Sequence, residues 1–380
     1  MIYRPFGKTG EQISAIGFGC MRLPEIERDG KWEIDEEKAI PMLQYAYEKG
    51  INYFDTAPYY CHHNSEIALG RAVKGFRDKI LISTKLPGGD IKKTDDFWRL
   101  LERSLKKLDM DYIDFYHVWG TNKNAFDNEI VKQNVLPEVR KAKEQGLIRH
   151  FSFSFHDAPP NIQYIIETAE ENGVPLESML VQYNLLDRGV EDMLKYANGE
   201  KGLGTVAMGP VGGGRLAAPT EFASKLAGDS KLTSYELAFR FVLGNPNMCC
   251  ALSGMQTMDM VEKNVKIAES DQPLSEEEWR QLGDAVERLK KFSDLYCTGC
   301  AYCQPCPAHI NIPHIFNLFT HHNVYGLSEH AKNSFRNYVQ NEHGATIKDC
   351  KNCGFCEKHC PQKLPIREEL KRVEEILTNL

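Results

Sequence analysis

The first 290 residues alternate between short runs of β-branched or aromatic residues and longer segments with helical periodicity. Such alternation predicts a parallel sheet whose strands are joined by helices. Several of the helical segments end in Gly or Asn, which are common at helix C termini. The eight predicted strands are Ile13–Gly19, Tyr53–Ala57, Ile80–Lys85, Ile113–Trp119, Phe151–Ser154, Met179–Asn184, Thr205–Met208 and Cys249–Ser253. The clearest predicted helices are Glu37–Lys49, Asp95–Leu108, Leu136–Gln145, Pro160–Asn172 and Ser234–Leu243.

Eight strand–helix units in a segment of about 250 residues fit a closed (β/α)8 barrel better than an open doubly wound sheet. The pattern alone leaves the open sheet possible. Against it, the turn Gly17–Arg22 after the first strand lacks the third glycine of a dinucleotide fingerprint and opens no helix directly. We therefore expect an α/β fold in which a TIM barrel spans residues 1–290.

Cysteine divides the chain into two parts. Of the 12 cysteines, eight fall between Cys297 and Cys360 in two tight runs. The start of the chain, MIYRPFGKTG, has neither the apolar core nor the cleavage site of an export signal. A cytoplasmic protein is therefore expected, and disulfides are disfavoured relative to metal binding. The other four cysteines have the character of buried apolar side chains: Cys20, Cys61, Cys249 and Cys250.

The second cysteine run has the spacing C-x2-C-x2-C-x3-C-P, which binds a 4Fe–4S cluster. Three thiolates on one tight turn can bind three irons of a cube, whereas the fourth cysteine lies too far along the chain to be forced onto the same cube. The first run has one residue fewer before its last cysteine. A zinc site usually pairs two C-x2-C knuckles, so iron–sulfur chemistry is favoured. The eight predicted ligands are Cys297, Cys300, Cys303, Cys306, Cys350, Cys353, Cys356 and Cys360.

This region resembles the helical dicluster type of ferredoxin, because helix-like sequence separates the two runs. The resemblance implies two 4Fe–4S clusters in a small, mainly α-helical domain over residues 291–380. It places the first cluster on Cys297, Cys300, Cys303 and Cys360, and the second on Cys350, Cys353, Cys356 and Cys306. If the clusters do not exchange their fourth ligands, the same eight residues still bind. Two further helices are predicted, Ser275–Phe292 closing the barrel and Pro365–Leu380 at the end of the chain.

Chemistry in TIM barrels takes place where strands end and loops begin. Asp55 ends the second predicted strand, Tyr60 follows five residues later, and Lys85 ends the third. A buried ammonium such as Lys85 is expected to lower the pKa of Tyr60, which would make the phenol a useful proton donor. Asp55 would hold the lysine charged and oriented. Trp119 ends the fourth strand, and His117 shares its face two residues earlier.

The barrel resembles an aldo-keto reductase. The segment Asp55–Tyr60 matches the family's D-T-A-x-x-Y motif, and Ile82–Lys85 matches its strand-three lysine. The resemblance implies hydride transfer from a nicotinamide to an aldehyde or ketone. Tyr60 would be the acid, with Lys85 as its activator and Asp55 as the partner of the lysine. The family's catalytic histidine is replaced by Trp119, and His117 lies one step deeper in the barrel.

The same resemblance implies a cofactor site. Ser154 and Gln182 would hold the carboxamide, whereas Met208 stands where the family has an aromatic residue that stacks on the nicotinamide. Backbone N–H groups of the glycines after Met208 would bind the pyrophosphate. The complete set of predicted cofactor contacts is Gly19, Cys20, Met21, Asp55, Ser154, Gln182, Met208, Gly209, Gly212, Gly254 and Asn264. The cofactor would be NADP or NAD, with a flavin as an alternative.

The net charge is -7 and no run of about 18 apolar residues occurs, so neither nucleic acid nor a membrane is an expected partner. A hydride carries two electrons, whereas each cluster passes one. The first hypothesis is an NAD(P)H-dependent reductase of a small carbonyl substrate, whose clusters contact a redox protein. The second is an electron-transfer reductase with a flavin or another cofactor in the barrel. The third is a non-enzymatic iron–sulfur redox sensor.

Overall fold

The structure is a computed structural model of the 380-residue chain. It describes residues 1–185, 187–212, 216, 233–269, 274–276, 280, 282–283, 295, 297, 303–323, 325–340, 344–360 and 362–380. The chain divides into two compact units, of which the first comprises Met1–Gly213 and Ala238–Ser275 and the second Gly214–Leu237 and Glu276–Leu380. The boundary expected at residue 290 and most of the predicted helix Ser275–Phe292 lie outside the described residues.

Eight parallel strands of the first unit form a closed barrel. The prediction of a (β/α)8 barrel is therefore confirmed, and the open doubly wound sheet is wrong. The barrel strands are β3 (Ile16–Gly19), β6 (Tyr53–Asp55), β7 (Leu81–Leu86), β8 (Ile113–Thr121), β9 (Ile148–Phe155), β10 (Ser178–Gln182), β11 (Gly204–Met208) and β12 (Cys250–Gly254). They follow one another in chain order around the barrel, and β12 pairs with β3 to close it.

The amino end of the barrel is plugged by a short hairpin, formed by β1 (Tyr3–Pro5) and β2 (Gln12–Ser14). Phe6 leaves this hairpin and packs edge-on against Tyr53 and Phe115, with ring centroids 5.9 and 4.9 Å away. A Cβ on Gly204, the first residue of β11, would lie 2.4 Å from the Phe6 ring. The packing of Phe6 therefore requires a glycine at position 204. Because the hairpin closes the amino end of the barrel, the carboxyl end is the one that can be open to a substrate.

The helices of the first unit pack apolar faces against the barrel. The buried residues of the 13-residue helix α3 are spaced three or four positions apart, as in any amphipathic helix. Asp109, which caps the end of this helix, has the left-handed backbone conformation. All five predicted helices occur, and none of their bounds is shifted by more than one residue. The helices are α1 (Glu36–Glu48), α2 (Ser65–Val73), α3 (Asp96–Leu108), α4 (Lys123–Ala125), α5 (Val135–Glu144), α6 (Asn161–Glu171), α7 (Glu191–Leu194), α8 (Ser234–Gly244) and α9 (Met258–Glu269).

A second hairpin, absent from the predicted elements, separates β3 from α1. It consists of β4 (Glu25–Arg28) and β5 (Lys31–Ile34). Its Trp32 stacks on His62, and Glu25 accepts a 2.7 Å hydrogen bond from the same imidazole. The hairpin therefore packs against the loop that follows Tyr60.

The described part of the second unit is helical around one apolar core, as predicted. Its helices are α10 (Ile312–Asn323), α11 (Ser328–Gln340), α12 (Phe355–His359) and α13 (Ile366–Asn379). The core includes Phe316 and Phe319 from α10, Phe335 from α11 and Leu370 from α13. Cys303 and Cys360 are also buried in it. Among the described residues of the whole chain, no helix has the length and apolar content that a bilayer span requires.

Candidate functional site

A buried ion pair lies at the carboxyl ends of β6 and β7. Lys85 is 1% exposed and Asp55 is 2% exposed. The Lys85 ammonium donates to the Asp55 carboxylate and, at 2.9 Å, to the carbonyl oxygen of Thr56. The Ser83 hydroxyl donates to the same carboxylate oxygen. Breaking such a pair would leave one charge buried and unpaired, so the two side chains hold each other in place.

Tyr60 stands beside this pair on the loop after β6. The Lys85 Nζ atom lies 5.6 Å from the centroid of the Tyr60 ring. Burial raises the pKa of Tyr60, and the charge of Asp55 and the thiols of Cys20 and Cys61 raise it further. The expectation that Lys85 lowers the pKa of Tyr60 is therefore wrong, because the Lys85 ammonium is directed at Asp55. Tyr60 is a neutral phenol across the physiological pH range and can donate its proton.

Trp119 forms one wall of the site. Its ring meets the Tyr60 ring edge-to-face at 5.7 Å, and its centroid lies 5.4 Å from that of Tyr59. Tyr59 in turn donates a hydrogen bond to Asp90 and packs against His63. Three aromatic rings, of Tyr59, Tyr60 and Trp119, therefore stand together at the mouth of the barrel.

His117 lies deeper, in the strand register directly opposite Lys85. It is completely buried. Burial and the charge of Lys85 lower its pKa to about 3, so the imidazole is neutral. The Phe153 backbone lies close enough to raise the pKa of His117 slightly, which offsets part of this effect. Neither ring nitrogen of His117 makes a hydrogen bond to any of the described residues.

The two residues predicted to hold a carboxamide have different surroundings. The Ser154 hydroxyl accepts a 2.8 Å hydrogen bond from the Gly120 N–H, where the pairing of β8 with β9 is irregular. It therefore holds the barrel wall together. Gln182 lies at the end of β10, where its amide nitrogen is 3.3 Å from a carboxylate oxygen of Asp187. Gly209 has a φ of +62°, and a Cβ there would lie 2.9 Å from the Gln182 side chain.

The glycine turn after β11 is compact in its described part. The N–H of Gly212 donates to the carbonyl oxygen of Gly209 at 2.8 Å, and Asn184 donates to the same carbonyl at 3.0 Å. Met208, the last residue of β11, pairs in register with Gln182. Gly213 and Gly214, expected to extend the turn, lie outside the described residues.

The remaining predicted cofactor contacts lie at the ends of β3 and β12, in the turn after β3 and in α9. Gly19 and Gly254 are paired at the ends of β3 and β12. Asn264 is buried and donates to the Ser253 hydroxyl at 2.9 Å. After β3, Met21 is 58% exposed, whereas Cys20 is completely buried beneath the loop. The side chains of Cys20 and Asn264 therefore point into protein, and Met21 faces solvent.

His156 is a candidate that the sequence analysis did not include. It is the first residue after β9, and its N–H donates to Thr121 at 2.9 Å. The residue is exposed to solvent by its surface area, yet desolvation by the protein atoms around the ring and, after it, the charge of Lys85 lower the pKa of the imidazole. Both observations place a neutral imidazole at the rim that carries Lys85. Its position two residues after the predicted strand Phe151–Ser154 was the signal in the sequence that would have found it.

One cavity of the second unit is lined by cysteines from both runs. These residues, called the cavity thiols below, are Cys306, Cys350, Cys353 and Cys356. Cys303 and apolar side chains such as Ile310 and Leu370 complete the lining, together with Arg367. Cys300 lies outside the described residues. In the described ranges no three His, Cys, Asp or Glu side chains converge closely enough to bind a single metal ion.

The cavity fits an iron–sulfur cluster in its chemistry. Thiolates are the ligands that these clusters use, and apolar walls keep water away from them. The Nε atom of Arg367 is buried and has no hydrogen-bond partner in the described part of the chain, although the side chain lines the cavity. A cluster sulfur would supply the acceptor that this nitrogen lacks.

Residues 15–287 match the profile of the aldo/keto reductase family, and residues 296–365 match that of a 4Fe-4S dicluster domain. The chain belongs to the aldo/keto reductase family. It is an oxidoreductase in which the family's barrel is joined to a domain that supports iron–sulfur clusters. The resemblances stated from the sequence motifs are thus confirmed.

Relatives within the aldo/keto reductase family cover the barrel. L-galactose dehydrogenase of Arabidopsis thaliana is 29% identical over 288 residues, which is 69% of this chain and 86% of the relative. An uncharacterized oxidoreductase of Bacillus subtilis (strain 168) is 27% identical over 315 residues, or 73% of this chain and 94% of the relative. A solved aldo-keto reductase from Bacillus halodurans, in its holo form, has a TM-score of 0.64 and 26% identity, and covers 75% of this chain and 96% of that one.

Proposed function

We propose that the protein reduces a small aldehyde or ketone with NAD(P)H at the barrel mouth, and that its 4Fe–4S domain exchanges electrons with a redox protein partner. The observation that carries the first part is the position of Tyr60, a neutral phenol, beside the buried Asp55–Lys85 pair. A protonated phenol is the form of tyrosine that can donate to a carbonyl oxygen.

The bound nicotinamide would supply a hydride to the carbonyl carbon. Tyr60 donates its proton to the carbonyl oxygen, so the alcohol product gains two electrons and two hydrogens. Lys85 places a positive charge near the phenolate that remains, and Asp55 orients the lysine. Trp119 covers one side of the phenol and excludes water from it. His156 offers a second hydrogen-bonding group at the rim.

Glycines and one cation support a nicotinamide cofactor at this rim. Gly19 and Gly254 lie side by side, and a Cβ on Gly254 would lie 3.5 Å from the Arg22 side chain. Arg22 would therefore provide a positive charge near the phosphates. The turn that Gly209 and Gly212 form would lie beside the pyrophosphate, and Gln182, whose side chain packs against Gly209, is the amide available for the carboxamide.

For the second unit we propose that the cavity thiols hold one 4Fe–4S cluster. The sharing of one cavity by Cys306 and the three thiols of the second run supports the ligand exchange implied by the dicluster resemblance. Cys360 is buried in the core together with Cys303, which supports its assignment to the first cluster with Cys297 and Cys300. The first-cluster ligands would then come from both ends of the domain.

A flavin or another two-to-one electron converter in the barrel is a second candidate. It is favoured by the Ser154 hydroxyl, which is hydrogen-bonded to Gly120 and so is less free to hold a nicotinamide carboxamide. A non-enzymatic sensor is disfavoured, since the chain keeps a buried ion pair beside Tyr60 and belongs to an enzyme family.

Anaerobically purified protein separates these possibilities. Reduced nicotinamide should be oxidised only when an aldehyde or ketone is added, and Tyr60→Phe should abolish this activity. Tyr164→Phe, a matched change at an exposed tyrosine, should not. Bleaching of the cluster absorbance by NADH or NADPH without a carbonyl compound would favour the second candidate. Full turnover by Tyr60→Phe would contradict the proposed role of the phenol.

A further inference from the structure

Arg367 lies in the first turn of α13, and its side chain lines the same cavity as the cavity thiols. Its guanidinium is fixed from one side by residues that lie between cysteines of the second run. Nη2 donates to Glu357 at 2.6 Å, and Nη1 donates to the side-chain oxygen of Asn352. The Arg367 backbone N–H also donates to Glu357, at 3.0 Å. The side chain therefore has one position relative to the thiols.

These contacts use both terminal nitrogens of the guanidinium but not Nε. Nε is buried and has no hydrogen-bond partner among the residues that the structure describes, whereas the two terminal nitrogens each have one. A buried donor without an acceptor costs about 1–3 kcal/mol, so proteins rarely keep one without a use. The cavity offers sulfur as the acceptor, since Cys303 and the four cavity thiols line it.

We infer that the Arg367 Nε–H donates a hydrogen bond to a sulfur of the 4Fe–4S cluster held by the cavity thiols, and that this bond raises the reduction potential of that cluster. The inference rests on the proposed ligand assignment. An N–H···S bond stabilises the extra negative charge that a cluster gains on reduction, and the potentials of such clusters depend on hydrogen bonds to their sulfurs. The cluster beside Arg367 thereby becomes easier to reduce than it would be without this bond.

The competing role for Arg367 is a structural clamp. Its bonds to Glu357 and Asn352 join α13 to the segment that carries the cysteines. A clamp and a sulfur donor differ in what their loss changes. Without the clamp the cluster fails to assemble, whereas without the donor an assembled cluster changes its potential.

The test is a potentiometric titration of the full-length protein followed by EPR, together with iron analysis. Arg367→Gln should keep about eight irons and lower the potential of one cluster, while the other cluster is unchanged. A tenfold change in the redox equilibrium corresponds to about 59 mV for a one-electron couple, and a shift of this order is expected. Lys371→Gln is the control, because it removes one exposed cation from the same helix. Its potentials should match those of the wild type.

Arg367→Lys keeps a cation and N–H donors and should give a potential between those of the wild type and Arg367→Gln. If Arg367→Gln loses iron, the reduction potential of Arg367→Lys is the test instead. A potential lower than that of the wild type supports the inference, and an unchanged potential overturns it. Full iron with unchanged potentials in Arg367→Gln overturns it as well. Loss of about four irons in both Arg367→Gln and Arg367→Lys overturns it too. That result would mean that Arg367 acts as a clamp that the cluster needs in order to assemble. Wild-type protein with far fewer than eight irons would instead overturn the ligand assignment itself.

Discussion

The Nζ atom of Lys85 lies 5.6 Å from the centroid of the Tyr60 ring, while its hydrogen bonds go to Asp55 and to the Thr56 carbonyl. The ammonium is thus near the phenol but neutralised by the carboxylate. As a result, burial controls the pKa of Tyr60 and raises it. This relationship keeps the proton on the phenol, and, with Tyr60 as the proposed proton donor, it determines how the rate should respond to pH.

The rate of carbonyl reduction should not fall as the pH rises from 6 to 9. A tyrosine has an ordinary pKa of about 10, and a raised pKa keeps Tyr60 protonated throughout this range. If Lys85 lowered the pKa instead, kcat/KM would fall tenfold per pH unit above the lowered value. The measurement is the pH profile of kcat/KM for an aldehyde that the enzyme reduces. A falling limb between pH 7 and 8 that Lys85→Met abolishes would contradict this prediction.

Asp55→Asn should destabilise the barrel as well as inactivate it. The change leaves the Lys85 ammonium buried without a counter-charge, and removal of one partner of a buried ion pair costs about 3–5 kcal/mol. Anaerobic denaturant unfolding gives the free energy of unfolding. The double variant Asp55→Asn/Lys85→Met should recover part of the loss, because no unpaired charge remains. A cost below about 1 kcal/mol for the single variant would show that the pair does not organise the site.

Trp119→Ala should widen the range of substrates. The indole packs against both Tyr59 and Tyr60, so its removal opens space beside the phenol. We expect kcat/KM to rise for bulky ketones relative to small aldehydes by about tenfold, since one pocket contact contributes about 1–3 kcal/mol. A uniform loss for all substrates would indicate that the indole instead holds Tyr60 in place.

The barrel and most of the site follow from local sequence. Strand and helix periodicity, with glycine at helix ends, predicts the elements to within a few residues, and the positions of Asp55, Tyr60 and Lys85 follow from where strands end. The hairpin of β4 and β5 was missed although Asp29-Gly30 joins two strands that carry Ile26, Trp32 and Ile34, because most of its side chains are exposed and it adds no strand to the barrel. The pKa of Tyr60 was predicted in the wrong direction, because the sequence shows that Lys85 is near but not that its charge is directed at Asp55.

Stability should fall at acid pH partly because of His117. Its folded-state pKa is about 3, whereas an unfolded histidine has a pKa of about 6.5. Between these values the unfolded chain binds the additional proton, so stability decreases as the pH falls below 6.5. From pH 7 to pH 5 this one group costs about 2 kcal/mol. Denaturant unfolding of His117→Gln should show a loss over this interval smaller by about that amount, whatever its stability at pH 7. An identical loss in the two proteins would contradict the prediction.

Cys306→Ser tests whether the two cysteine runs exchange ligands. Cys306 belongs to the first run but lines the cavity of the second, so its loss should affect the cluster bound by Cys350, Cys353 and Cys356. Iron analysis and EPR of anaerobically prepared protein should show a change in one cluster only. The cluster held by the cavity thiols should change its reduction potential or its occupancy, and the other cluster should be intact. Cys249→Ser is the matched control, since this buried cysteine lies in the barrel. Combination with Arg367→Gln identifies the affected cluster, because both changes should then alter the same EPR signal. If Cys306→Ser altered the other signal, Cys306 would belong to the cluster of its own run and the ligand exchange would be wrong.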